Sequence, residues 1–124
     1  VALLERHPNI RESVNVGSQI RKAIGMRGSV ASPLHYITST IDAADAEAFW
    51  ERLASGVNLD ADDPIMALRS AILSDRPVHR RKMTRVRLWA LTVKAWNAYR
   101  EGRKVKLLVW RPGGATPEAF PIPA

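Results

Sequence analysis

Apolar positions recur along most of the chain at intervals of three and four residues, the period of a helix with one buried face. Val1–Arg6 reads as the last turns of a helix, which Pro8 stops. Ile10, Val14, Ile20 and Ile24 share one face of a helix over residues 9–24. Gly17 weakens the middle of that helix, so two short helices broken near Asn15–Ser18, the second capped by Ser18, fit the pattern equally well. Gly25, Gly28 and Ser29 read as a loop. Ser32-Pro33 then reads as a helix start, because serine accepts from orphan N–H groups and proline suits the first helical position. Leu34, Ile37 and Ile41 line one face of the helix that follows.

The next segments carry clearer punctuation. Asp42 reads as an N-cap, and Ala43–Ser55 turns Ala46, Phe49, Trp50 and Leu53 inward while Glu47 and Glu51 face water. Gly56 ends that helix, residues 57–63 form a loop, and Asp63-Pro64 starts another helix with Ile65, Leu68, Ala71 and Ile72 inward. Asp75-Arg76-Pro77 closes it. The longest predicted helix runs from Val78 to Glu101 and stops at Gly102. Val86, Trp89, Ala90, Val93, Trp96 and Asn97 share one of its faces, and Leu88, Leu91, Ala95, Ala98 and Tyr99 lie on others, so it is read as central, with Trp89 and Trp96 both buried. Val105–Trp110 has extended character, with Trp110 read as a surface aromatic. A turn at residues 111–114 leads into a tail with prolines at 117, 121 and 123, docked by Phe120 and Ile122. The fold class predicted is all-α: an irregular or orthogonal bundle of five to six helices. Residues 1–111 make one helical domain and 112–124 a proline-rich tail packed on it.

Composition narrows the function classes. The 124 residues are 46% hydrophobic and 25% charged, which suits a globular chain. No apolar run approaches the ~20 residues of a membrane span; the longest, Leu88–Val93, is interrupted by Thr92 and flanked by Arg87 and Lys94. There is no cysteine, so disulfide scaffolds and thiolate metal sites are excluded. The N-terminus lacks the layout of a signal peptide, and a first residue inside a helical pattern carries the expectation of preceding sequence.

Charge changes the picture more. The net charge is +7, unevenly spread: residues 32–75 hold two basic and eight acidic side chains, whereas residues 76–111 hold twelve basic side chains against Glu101. Such a block attracts polyanions, most often nucleic acid. Arg80, Arg81, Lys82, Arg85 and Arg87 open the long helix and oppose its dipole, which points to an anion from elsewhere. Arg80, Arg87 and Lys94 are seven residues apart, and Arg81 and Arg85 four apart, spacings that share a helix side. Arg103, Lys104 and Lys106, with Arg100 and Arg111, form a second basic set beyond the helix. The two sets lie more than ~30 Å apart if the helix is continuous. Pairing with the acidic middle segment would account for the same charges without any external partner.

Other chemistry is weakly represented. His7, His35 and His79 are scattered, so a zinc site is not expected; His7 and His79 read as helix-end residues, His35 as partly buried, and each as structural or surface rather than catalytic. Asp60–Asp63 lacks the glycine and distal glutamate of a calcium loop, and Asp63 already serves as a cap. No phosphate-binding glycine loop and no nucleophile elbow is present.

The segments Lys94-Ala95-Trp96-Asn97-Ala98-Tyr99-Arg100-Glu101-Gly102, Val105–Gly113 and Glu118–Pro121, with Asp63–Arg69 and the helix over 44–56, carry a resemblance. Together they resemble the C-terminal helical region of phage and actinobacterial proteins with a ParB-like N-terminal domain. The resemblance implies an upstream domain as partner, and DNA as ligand, with no catalytic residue to carry over. The expected function is therefore a non-catalytic, cytoplasmic helical domain that assists DNA binding by a larger protein. It would contact DNA through Arg80, Arg81, Lys82, Arg85, Arg87, Arg103, Lys104 and Lys106, without metal, cofactor or membrane. The alternative is a helical protein-interaction or oligomerisation module with no nucleic-acid role; a homo-oligomer is among the partners considered.

Overall fold

Five helices make up the regular structure of the computed structural model, which describes residues 8–74 and 83–124, and no strand occurs among them. They are α1 (Pro8–Ile24), α2 (Gly28–Ile41), α3 (Ala43–Ser55), α4 (Pro64–Ser74) and α5 (Arg85–Glu101). The all-α bundle expected from the apolar periodicity is the fold observed. The helical reading of residues 1–6 and the Asp75-Arg76-Pro77 stop lie outside the described residues.

α1 is one helix, without the break that Gly17 suggested, and Ser18 is an exposed residue within it rather than a cap. The reason is packing. Ser13 meets His35 and Gly17 meets Ser32, so the partner number falls as the α1 number rises, and α1 and α2 run antiparallel. A Cβ on Gly17 would lie 1.9 Å from Ser32 Oγ and 3.1 Å from Ser32 Cβ. The glycine lets the two helices approach closely here. Burial of Ile20 and Ile24 beside this crossing holds α1 helical through a residue of poor propensity.

α2 begins at Gly28, four residues before the expected Ser32-Pro33 start. The Arg27 carbonyl accepts from the N–H groups of Val30 and Ala31, both buried, and this packing extends the helix upstream. Pro33 lies inside the helix. The carbonyl it leaves unbonded is that of exposed Ser29, within reach of water. The buried face of α2 is Val30, Ala31, Leu34, His35 and Thr38, so Ile37 is only partly buried and Ile41 is exposed.

α3 and α4 follow their sequence signals. Asp42 Oδ1 accepts from Asp45 N at 3.0 Å, Asp63 Oδ1 accepts from Ile65 N at 2.8 Å, and Gly56 takes the left-handed conformation at φ 70°. Ala46, Phe49, Trp50 and Leu53 are all buried. Phe49 is the aromatic hub, T-shaped to Trp50 and Trp96 with ring centroids 5.2 and 5.5 Å away.

α5 packs against α2, α3 and α4 but not α1, so α3, which meets all four other helices, is more central; α5 buries Leu88, Ala90, Leu91, Thr92, Val93, Ala95, Trp96 and Ala98. Its start differs from the expected Val78. Thr84 has extended backbone, ψ 155°, and its hydroxyl oxygen accepts from Arg87 N, so the helix begins at Arg85. At 17 residues it equals α1 in length. Its first turn precedes the core, which leaves Val86 exposed and Trp89 only partly buried, unlike Trp96. Gly102 ends it at φ 67°.

Beyond α5 the chain is irregular but anchored. Val105 N donates to Asp62 O, and Leu108 and Trp110 turn inward while Leu107 and Val109 stay out. Trp110 is buried, not a surface aromatic, because Phe120 packs edge-on at 5.4 Å and Ala119 O accepts from its indole N–H. Reciprocal bonds between Arg111 and Glu118 close the loop between them. Phe120 docks as expected, but the Ile122 side chain is 80% exposed and anchors nothing. The tail end is held by its backbone: Asn97 donates to Ile122 O and accepts from Ala124 N, while Trp96 Nε1 and Arg100 Nε donate to Ala124 O.

Candidate functional site

The fold treats the two basic sets differently. Arg85 and Arg87 stand in the first turn of α5, exposed, and neither makes an ion pair among the described residues. Arg80, Arg81 and Lys82 lie outside the described residues. Extended Thr84 interrupts the helical register on which the Arg80/Arg87 and Arg81/Arg85 spacings depend. Arg87 and Lys94 do share a side of α5, but Lys94 is turned to the tail, where it bonds Val109 O and the Glu118 carboxylate. That contact holds the Glu118 carboxyl below the usual carboxylate range.

At the other end of α5 the cations are largely engaged within the chain. Arg100 bonds Asp42 at 2.9 Å and Asp45 at 2.5 Å, and its guanidinium lies 5.6 Å from the Trp96 ring centroid. The capping N–H of Asp45, then Arg100, keeps the Asp42 carboxyl below its ordinary value, and the two carboxylates raise Arg100 in turn. Arg103 pairs with Glu101 at 2.9 Å and Lys104 with Asp62 at 3.6 Å. Lys106 and Arg111 are exposed and unpaired among the described residues. Asp42, Asp45 and Asp62 belong to the acidic middle segment, so part of the charge asymmetry is satisfied internally. α5 spans about 24 Å from Arg85 to Glu101, so the two basic sets lie at opposite ends of a shorter helix than one from Val78 would make.

A second feature was not legible in the chain. α1, α2 and α3 enclose a groove of about 640 Å³. Glu12, Glu47 and Glu51 line it, with Val16, Ile20, Trp50 and Ala54 as apolar wall and His35 contributing from α2. None of these carboxylates is in an ion pair among the described residues. His35 is buried as a structural histidine, its Nδ1 2.7 Å from Ser13 Oγ. Burial pushes its pKa down, against a smaller upward pull from Glu12. The Glu47/Glu51 spacing was visible as a solvated face of α3, but only the packing of three helices brings Glu12 and His35 to it.

Among the described residues no group of three or more side chains could hold a metal ion, and no helix is long and apolar enough to cross a membrane. In the Asp60–Asp63 loop, Asp63 caps α4 and Asp62 meets Lys104. His7 and His79 lie outside the described residues. No family model, curated protein or solved structure matches the chain significantly.

Proposed function

We propose that this chain is a non-catalytic helical module that engages DNA phosphates through the N-terminal end of α5, within a larger cytoplasmic protein of the ParB-like phage or bacterial type. The observation that carries this reading is the division of cations. Those at the C-terminal end of α5 are mostly held by Asp42, Asp45, Glu101 and Asp62, whereas Arg85 and Arg87 have no intrachain anion among the described residues. Positive charge at the positive end of a helix dipole is locally unfavourable, and an external polyanion removes that conflict. Arg80, Arg81 and Lys82 adjoin these two in sequence and extend the cationic run. Arg103 and Lys104, already paired, contribute less than the charge count implied; Lys106 remains available.

The test is a titration with duplex DNA at several salt concentrations. Each phosphate contact contributes a log–log slope of about 0.9, so Arg85→Ala/Arg87→Ala flattens the slope by up to about 2 units. Absence of binding, or a slope unchanged by the double substitution, overturns the assignment.

A further inference from the structure

The groove between α1, α2 and α3 combines three kinds of surface that rarely serve packing together. Glu12, Glu47 and Glu51 offer acceptors only, and no cation of the described residues meets them. Val16, Ile20, Trp50 and Ala54 offer an apolar wall. His35, 5% exposed, offers one ring nitrogen. Its Nδ1 is taken by Ser13, and Nε2 has no partner among the described residues. Every deeply buried side-chain nitrogen or oxygen of those residues is bonded, so Nε2 retains access, and His35 is one of the residues that line the groove. Ser13 Oγ has no other acceptor among the described residues, so the tautomer assigned is the one that gives its hydroxyl an acceptor, with Nδ1 accepting and the ring proton on Nε2. The groove thus presents a donor, carboxylates and an apolar side. A basic peptide segment complements this: its carbonyl accepts from Nε2–H, its guanidinium groups meet the carboxylates, and its methylene stems lie on the wall.

We propose that the segment is the basic run ending in Arg85 and Arg87 of a second copy of this chain. The chain supplies both halves of the pair on different elements: an acidic groove that meets no cation, and arginines that meet no anion, among the described residues. Because groove and arginines are different surfaces, the contact is head-to-tail, and each copy keeps one unused half with which to add another. The inference does not depend on DNA binding, but it shares Arg85 and Arg87 with that reading, so DNA competes with self-association.

The full chain, nuclease-treated and free of nucleic acid, tests this by sedimentation at about 0.02 M and about 0.5 M salt, where screening differs strongly. Expected is concentration-dependent assembly at low salt that dissolves at high salt. Glu47→Lys/Glu51→Lys and Arg85→Glu/Arg87→Glu each abolish assembly, at exposed positions that leave the helical circular dichroism unchanged. Mixing the two variants restores it, since the unaltered arginines of one meet the unaltered groove of the other and the two altered halves again carry opposite charge. A monomeric parent chain at low salt, assembly indifferent to the Glu47/Glu51 change, or failure of the mixture to assemble overturns the proposal. Failure of DNA binding alone leaves these outcomes intact.

Discussion

Replacing Gly17 with alanine sets two effects of known sign against each other. On an isolated helix the substitution stabilises by about 1 kcal/mol, because alanine loses less backbone freedom. Here the added methyl lies 1.9 Å from Ser32 Oγ, 3.1 Å from Ser32 Cβ and 3.3 Å from Ser32 N. The hydroxyl can rotate away about χ1, but Cβ and the backbone nitrogen cannot. Carbon contacts relax near 3.5–4.0 Å, so α1 and α2 must separate by roughly half an ångström. That movement stretches the 2.7 Å Ser13–His35 bond four residues away and loosens Ile20 and Ile24, each 1% exposed. Overpacking of this kind costs about 1–3 kcal/mol, so the net loss expected is about 1 kcal/mol. Urea denaturation followed by circular dichroism measures it. In a Ser32→Ala background the clash with Oγ is gone and the loss should shrink. A Gly17→Ala chain more stable than its parent by the full propensity gain refutes the close crossing.

Trp96→Ala removes a fully buried indole with its partners Phe49 and Tyr99, and should cost about 3–5 kcal/mol by the same denaturation. In fluorescence quenching, Trp96 stays shielded while Trp89, only partly buried, is reached. His35 has a folded pKa depressed below 6.5, so its contribution to stability is complete above that pH and falls as acid forces a buried imidazole to charge; stability measured between about pH 7 and 5 should decline less in His35→Gln. Asn97→Ala removes two hydrogen bonds from the tail, each worth about 1 kcal/mol, and should raise amide exchange at Ala124 without unfolding α1–α4.

What the chain disclosed in advance follows the range of the interactions. Asp42, Gly56, Asp63 and Gly102 act on backbone groups within a few residues, so their roles were readable from local order. The inward stripe of α3 was readable for the same reason. Gly17 left a break in α1 open and Pro33 was read as a helix start, because local propensity marks both as poor helix-interior residues, while packing outweighs that preference: Ser32 against Gly17, and buried Val30 and Ala31 upstream of Pro33. The start of α5 was placed too early because charge spacing looks the same on either side of Thr84. Trp110 was assigned to the surface because its cover, Phe120, arrives ten residues later after a turn. The groove depends on three helices, and no short window contains Glu12, His35 and Glu51 together.

The Asn97 clamp has a practical consequence. The side chain pairs with both neighbours of Pro123 through main-chain atoms, and Trp96 and Arg100 also address a carbonyl. Ile122 projects into solvent from the middle of this contact. A cysteine placed there in this cysteine-free chain would therefore be a unique attachment point. A dye on it would sit near the Trp96 face without occupying any contact, and would report tail release as a change in tryptophan quenching.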